Sequence, residues 1–346
     1  MSFRFLPRFT SRRGVILILA LWTVAFLSIL AVNIGMFVRQ KFVFLSRLER
    51  RSKLDALLPA AVNRARGVAA VDLPEEGYVN TVYQKLLRHN DPEHFRAIEL
   101  GDARYSIFYY DSASLDGKPE KLYGLSSEEG KLNINVAGQN ILVPLIKQVT
   151  KLDEKDAVAL ADAIVDWRQH GESRLTGFFS DDYYDNLEFP YPPKSAPYET
   201  PAELHLVAGM TPELFGQLQP FITIYGDGAV DVNTAPPQVL KALGLSDEVV
   251  SRILLVRRGV DLKQATADDL VFQDISGMAG ILLQMGKLTP EEIAKINELI
   301  SKGLIGTTSE YLHVHAEAEM VSSGETESVD SIFHASDGQI LYWSQY

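Results

Sequence analysis

The segment from Val15 to Val38 contains no charged residue, and no other feature of the sequence constrains the fold as strongly. At about 1.5 Å per residue, a helix of this length crosses the roughly 30 Å hydrocarbon core of a bilayer. The segment also lacks proline, so every backbone hydrogen bond can close within the helix, as lipid requires. We therefore predict a single membrane-spanning helix, with nearly all of the protein's mass outside the bilayer.

Basic residues lie on both sides of this segment. Residues 1–14 contain only basic charges, carried by Arg4, Arg8, Arg12 and Arg13. Others follow from Arg39 onward, so the positive-inside rule does not decide the orientation. A cleaved, secreted form is the alternative, but the segment is long for a signal peptide and no small-residue cleavage site follows it. Leucines at three-to-four spacing extend the predicted helix over residues 15–68, with a bend at Pro59.

The composition is that of a folded, acidic protein. The chain has 346 residues, 46% of them hydrophobic, which is enough for one large domain or two ordinary ones. A formal net charge of −12 disfavours bulk binding of nucleic acid. Cysteine is absent, which excludes disulfides, thiolate metal sites and a cysteine nucleophile.

Outside the predicted helix, strand patterns enclose a helical block. Residues 69–136 include the alternating aromatic segment Arg104–Tyr110 and a turn signal at Asp116–Gly117, after which Lys121–Leu125 can pair back as a hairpin. Residues 307–346 alternate again. The prediction is an α+β fold in which a long N-terminal helix packs on a small antiparallel sheet, with a large all-α domain inserted at residues 137–306.

Short amphipathic helices are predicted within the inserted block. They cover Asp156–Arg168, Thr211–Leu218, Pro237–Leu243, Asp247–Arg257 and Pro290–Lys302. Thr211, Ser246 and Thr289 are the predicted N-caps, because a hydroxyl can accept from the free amides of the first turn.

The inserted block contains a weak internal repeat. Leu132–Ala137 resembles Val230–Ala235, and two helical patterns follow each copy. Asn135 and Asn233 occupy the same place in the two copies. We predict that each side chain caps its own turn.

The junction Arg12-Arg13-Gly14-Val15 resembles the processing site of type IV pilins and pseudopilins. In that family a membrane peptidase cuts after the glycine, and the new N-terminus is methylated. An ordinary membrane anchor with a chance glycine is the alternative. Most relatives have glutamate at the fifth mature residue, where this chain has Leu19. That glutamate would neutralise the terminal amine of a neighbouring subunit within the bilayer, so its absence suits a subunit at the tip of a fibre.

Further motifs in order along the chain resemble the minor pseudopilin K family of type II secretion. They are Leu132-Asn-Ile-Asn135, Ala163-Ile-Val-Asp166-Trp167-Arg168, Glu203-Leu204, Gly209-Met210-Thr211-Pro212 and Val232-Asn233-Thr234-Ala235-Pro236-Pro237. The resemblance implies a pseudopilin fold with a large helical insertion and a leader at residues 1–14 removed by the prepilin peptidase. It also implies a single-pass protein of the bacterial inner membrane, with its large domain in the periplasm. The implied partners are the minor pseudopilins I and J at the tip and the inner-membrane assembly platform.

No catalytic constellation is recognisable, and no cofactor is required by any motif. The seven histidines are scattered, and there is no nucleophile elbow or glycine-rich phosphate loop. His313 and His315 share one face of a predicted strand. A solvated face is the expected reading of this pair, and a metal site is the alternative.

A cluster of acids lies in an aromatic-rich stretch that includes Asp166, Asp181 and Asp182. Oxygen ligands in a loop suit calcium, and members of the K family resemble this stretch and bind calcium there. This chain departs from the family pattern because Gln169, His170 and Phe179 stand where acids are expected. The cluster is therefore predicted either as a solvated acidic loop or as a calcium site weakened by the missing carboxylates.

Membrane-anchored DNA uptake is the rival function. Residues 207–211 and 242–246 resemble the hairpins of helix-hairpin-helix modules, which bind phosphate through glycine amides and nearby basic side chains. Neither hairpin has the second glycine, and acidic residues outnumber basic ones in the inserted block. The prediction is that nucleic acid is not a partner, and that these helix pairs form a protein-binding surface.

Processing is predicted between Gly14 and Val15, leaving Val15 as the mature N-terminus. Gly14→Val should block the cut, because a β-branched side chain would crowd the peptidase at the scissile bond. Mass spectrometry of the mature N-terminus measures this directly. Mature protein of normal size from the variant would contradict the prediction.

Overall fold

Helix α1 runs from Arg12 to Asp72 and contains Pro59, close to the predicted limits of residues 15–68. The computed structural model describes residues 12–72, 92–111, 119–169, 181–263, 266 and 269–346. The predicted turn at Asp116–Gly117 lies outside these residues. The chain divides into two units, residues 1–55 and residues 56–346. The domain boundaries given above stay predictions.

In the first unit, the large apolar side chains of α1 are exposed from Val15 to Leu48. Among the described residues, α1 is the one helix long and apolar enough to cross a membrane by length and composition. Within its apolar part, Thr23, Ser28 and Asn33 bond to carbonyls of the helix itself. Asn33 Nδ2, for example, donates to the carbonyl of Ile29 at 2.9 Å. Such bonds remove the need for water around these groups, as lipid requires.

The second unit contains an antiparallel sheet. Its strands are β1 (Ile98–Leu100), β2 (Ala103–Asp111), β3 (Glu120–Tyr123), β4 (Ser126–Ser127), β9 (Tyr311–Met320), β10 (Thr326–His334) and β11 (Ile340–Gln345). They lie in the order β1–β2–β9–β10–β11, and β3 also pairs with β2 and β4 with β9. The strands and the hairpin expected from the sequence are confirmed. Pairing of β2 with β9 places strands before and after the helical region side by side.

Alternation along β9 separates two faces of the sheet. Every second residue is buried, namely Leu312, Val314, Ala316, Ala318 and Met320. The residues of α1 after Asp55 also bury an apolar stripe, at Leu57, Leu58, Ala61, Val62 and Ala65. The opposite face of β9 is polar and carries His313 and His315.

Between β4 and β9 lies the helical region. Its helices are α3 (Gln139–Val149), α4 (Glu154–Arg168), α5 (Asp181–Asp185), α6 (Pro212–Leu218), α7 (Pro237–Ala242), α8 (Asp247–Arg257), α9 (Met278–Gln284) and α10 (Pro290–Ser301). The short helix α2 (Pro92–Phe95) precedes β1 and lies outside this region. The three predicted N-caps are confirmed: the hydroxyls of Thr211, Ser246 and Thr289 each accept from an amide three residues later. Helices α3 to α10 share one apolar core.

The internal repeat is a structural duplication. In the first copy, β5 (Leu132–Asn133) pairs in parallel with β6 (Ile222–Thr223). In the second copy, β7 (Val230–Asp231) pairs in parallel with β8 (Ile305–Gly306). Each copy therefore begins with a short strand, continues through its helices and ends in a second strand that pairs with the first.

The predicted role of Asn135 and Asn233 in capping their own turns is wrong. The turns are capped by the residues two positions earlier, since Asn133 Oδ1 and Asp231 Oδ1 accept from the amides of Asn135 and Asn233. Asn233 instead holds a distant peptide in both directions: it donates to the carbonyl of Phe272 at 3.0 Å and accepts from the Phe272 amide at 2.8 Å. Side chains already occupied in this way cannot cap the turn.

The first copy has the same clamp. Asn135 donates to the carbonyl of Tyr198 at 3.0 Å and accepts from its amide at 2.7 Å. An arginine at the end of the second helix completes each copy: Arg168 donates to the carbonyl of Ala137, and Arg257 to that of Ala235. Both copies thus use one asparagine and one arginine to satisfy backbone groups that no regular structure pairs.

Asn233→Ala should lower the free energy of unfolding by roughly 2 kcal/mol or more, because it leaves a buried amide and a buried carbonyl unpaired. Asn135→Ala should cost less, since Asn135 is only partly buried. Asn297→Ala, at an exposed position of α10, is the control and should be near neutral. Denaturant unfolding of the full chain in detergent measures all three. Equal stabilities for the Asn233 and Asn297 variants would refute the clamp.

Candidate functional site

Gly14 and Val15 lie near the start of α1. A Cβ atom built on Gly14 meets no other atom within 4 Å, and the same holds for Gly35 in the same helix. A side chain at Gly14 therefore does not disturb the fold of the chain itself. Gly35→Val is accordingly a matched control for Gly14→Val: both add the same side chain to α1, and only one lies at the predicted cleavage site.

The three candidate calcium ligands lie at the two ends of a segment outside the described residues. Asp166 is in the last turn of α4, and Asp181 and Asp182 begin α5. Asp166 is buried, whereas the side chains of the other two lie outside the description. The described residues contain no group of three His, Asp or Glu side chains arranged to hold a metal. The calcium site, with these three ligands, stays a prediction.

The two histidines of β9 meet a carboxylate on the neighbouring strand. His313 Nε2 lies 3.2 Å and His315 Nδ1 2.8 Å from Asp330 Oδ1. The hydroxyl of Tyr346 donates to the other oxygen of Asp330 at 2.8 Å. Burial would raise the pKa of Asp330, but hydrogen bonds from these neighbours hold it well below its usual value. The pair is thus not simply solvated, because both rings contact a carboxylate. Among the described residues, it is not part of a cluster that could hold a metal ion.

Sequence reasoning missed Asp330 because its place depends on strand register. Asp330 lies directly opposite His315 in the pairing of β10 with β9. The alternation of each strand is visible in the sequence, but the sequence does not show which residues face each other.

Two adjacent glutamates lie where the helical region leaves the sheet, just after β4. Glu128 contacts Lys131 Nζ at 2.5 Å and accepts from the hydroxyl of Thr223 at 2.6 Å. Burial alone would raise the pKa of Glu128, but the charge of Lys131 and these hydrogen bonds hold it below its usual value.

Glu129 has the opposite environment. Burial raises the pKa of Glu129 to about 8, although the amides of Glu310 and Tyr311 donate to its carboxylate. Ser309 Oγ lies 2.9 Å from the buried carboxylate of Asp231, whose charge adds to the effect on Glu129. This polar cluster joins the start and the end of the helical region at the sheet.

The second hairpin of the rival DNA function, residues 242–246, is occupied by protein contacts. The hydroxyl of Ser246, at the start of α8, lies 2.6 Å from the carboxylate of Glu292. The nearby cations are also paired, Lys241 with Asp247 at 2.6 Å and Arg252 with Glu248 at 2.8 Å. A phosphate would meet a carboxylate here instead of free amides and cations, so this hairpin does not fit the backbone of DNA.

Comparison with known proteins finds similarity to one family. Residues 122–227 match the family model for protein K of the type II secretion system. A protein K of the type II secretion system from Aeromonas hydrophila is 25% identical over 190 residues, which cover 48% of this chain and 56% of that relative. The chain thus matches little more than half of the relative's length. The resemblance to the protein K family is confirmed.

The fold agrees with this resemblance. A chain in the crystal structure of the GspK–GspI–GspJ complex from the type 2 secretion system of enterotoxigenic Escherichia coli matches with a TM-score of 0.61. The match covers 86% of this chain and 97% of that chain at 13% sequence identity. The predicted fold class, a pseudopilin fold with additional helices, is confirmed.

The two adjacent glutamates give a test of opposite sign. Because Glu129 binds its proton more tightly in the folded state, its contribution to stability is complete below about pH 4.5 and is lost as the pH rises through about 8. Glu129→Gln, which stays neutral, should therefore raise the free energy of unfolding at pH 8 by on the order of 2 kcal/mol.

Glu128→Gln is the matched comparison. The lowered pKa of Glu128 contributes stability above its unfolded pKa, and this contribution is lost as the pH falls. The variant should therefore be less stable than the parent at pH 8, with a smaller difference at pH 4. Denaturant unfolding between pH 4 and pH 9 measures both variants. Changes of the same sign at pH 8 would refute the electrostatic assignment.

Proposed function

We propose that this protein is a minor pseudopilin that lies at the tip of a type II secretion pseudopilus and supports a tip complex for export of folded proteins. The observation that carries the proposal is the combination in one chain of an apolar N-terminal helix, an antiparallel sheet and a duplicated helical region. A chain of the GspK–GspI–GspJ complex has the same fold over nearly its full length. The proposed partners are the corresponding minor pseudopilins I and J.

The anchor gives the proposed location. The apolar part of α1 holds the protein in the bacterial inner membrane, with the large domain in the periplasm. The prepilin peptidase cuts between Gly14 and Val15, and the inner-membrane assembly platform then inserts the mature subunit. The basic leader followed at once by an apolar helix supports this order of events.

Leu19 supports the tip position. A glutamate at the fifth mature residue would neutralise the terminal amine of a neighbouring subunit in the bilayer, where an unpaired charge is costly. Leucine cannot provide this pairing. The helical region between β4 and β9 adds bulk that stacked subunits of a regular shaft would have to accommodate. Both features favour a single copy with nothing stacked above it.

The proposed role is assembly, with no catalytic step and no required cofactor. Calcium bound by Asp166, Asp181 and Asp182 would act structurally, by tying the end of α4 to the start of α5. The rival function, DNA uptake, gains no support, because the hairpin cations are paired and Glu292 faces the start of α8.

The tip assignment predicts about one copy of this protein per pseudopilus. Fluorescent labelling with single-molecule counting measures the number, and the major pseudopilin labelled in the same way is the control. Leu19→Glu should be tolerated or mildly harmful, whereas loss of the whole protein should weaken secretion and alter pseudopilus length. Copies spread along the shaft in numbers like those of the major subunit would exclude the tip position.

A further inference from the structure

A proline-rich segment crosses the surface of the helical region between α5 and α6. Its sequence is Phe189-Pro-Tyr-Pro-Pro-Lys194, and residues 190–195 are in neither helix nor strand. Proline fixes φ near −65°, and a residue that precedes proline is restricted to extended conformations. Prolines at 190, 192 and 193 therefore favour an extended, polyproline II-like backbone from Phe189 to Pro192, with about three residues per turn.

One face of this segment is attached to the protein. The hydroxyl of Tyr191 donates to the carbonyl of Leu206 at 2.9 Å, and its ring contacts those of Trp167 and Tyr184. Three residues later, Lys194 donates to both carboxylate oxygens of Glu203 at 2.9 and 3.0 Å. Positions 191 and 194 lie on the same face of a threefold helix, so the attachment follows the period of the segment.

Another face is open to solvent at the same period. The side chain of Phe189 is 79% exposed, and Pro192, three residues later, is also exposed. Beyond the segment, Asn135 clamps the backbone of Tyr198, and Leu187 packs against the core before it. Phe189 and Pro192 are therefore presented on a backbone that is fixed at both ends and in the middle.

The charges around the segment are acidic. Asp185, Glu188 and Glu199 are exposed near its two ends. The one cation at this end, Lys194, is already shared between two acids, Glu203 at 2.9 Å and Glu199 at 3.5 Å. A partner that approaches Phe189 and Pro192 thus meets an apolar ridge with negative charge at both ends.

We propose that Phe189–Pro193 is a docking segment for a partner protein that has an aromatic-lined groove flanked by lysine or arginine. Polyproline II segments bind such grooves because their conformation is set beforehand, so little entropy is lost on binding. The exposed acids supply the complementary charge for the basic flanks. The docking segment deepens the proposed function. It rests on that function, because the partner is taken to be a component of the secretion machinery.

A photo-crosslinking residue, p-benzoylphenylalanine, at position 189 of the full chain in secreting cells tests the proposal. The same residue at position 197 is the control, because Pro197 is also exposed but lies past the segment. We expect a crosslink from position 189 to one protein, on a peptide that contains aromatic residues beside lysine or arginine. Crosslinks no stronger than those from position 197, crosslinks to lipid, or crosslinks to a surface without aromatic residues would overturn the proposal.

Binding by the crosslinked protein, once purified, gives the second measurement. Phe189→Ala and Pro192→Ala should each raise its Kd for the full chain in nanodiscs about tenfold, and Pro197→Ala less than threefold. All three should change the melting temperature by only a few degrees, because these side chains are exposed and only the loss of a proline acts on the unfolded chain. Binding should weaken as salt rises, since the flanking charges attract the partner. Equal Kd values for all three variants would contradict the proposal.

The same cells separate this inference from the proposed function. If the protein is absent from pseudopili and from complexes with the minor pseudopilins, the proposed function fails, and the crosslinking result still decides the docking segment. If the protein assembles normally but the variants at 189 and 192 bind as the parent does, only the docking segment is excluded.

Discussion

Antiparallel pairing of β2 with β9 is the interaction on which the rest of the structure depends. It sets Tyr105 opposite Ala318 and so joins strands from either side of the helical region. The entropic cost of closing a loop grows only slowly with its length, so a very large insertion is tolerated if its two ends meet. The ends do meet, since the amides of Glu310 and Tyr311 donate to Glu129 just beyond β4.

The polar groups at this junction explain how the sheet and the helical region can meet at one boundary. The sheet contributes an alternating apolar face, and the helices contribute a core of their own. Between them, backbone amides and hydroxyls would be buried without partners unless side chains supplied acceptors. Glu129 and Asp231 supply those acceptors, and burial raises the pKa of both. The electrostatic cost of these carboxyls is therefore concentrated where the connection between sheet and helices needs them.

Features encoded within a few residues were predictable from the sequence. The anchor, the strand alternation and the three hydroxyl N-caps depend on short-range patterns, and each is found where the pattern indicates. Contacts between distant segments were not predictable in this way. Asn233 was expected to serve its own turn but holds Phe272, 39 residues away. Asp330 reaches His315 only through the register of two strands. The repeat itself was visible in the sequence, whereas the residue that each asparagine contacts was not.

A clamp of this kind fixes a backbone without specifying its side chains. The amide of Asn135 bonds to the carbonyl and the amide of Tyr198, groups that every residue except proline provides. Asn233 treats Phe272 in the same way. The segments that lead into the clamped residues are thereby held in place while their outward side chains remain free of packing demands. Phe189 is exposed on such a segment. Its side chain is not needed to hold the backbone, because the clamp at Tyr198 already does so. Side chains on such a segment can therefore change without loosening the core.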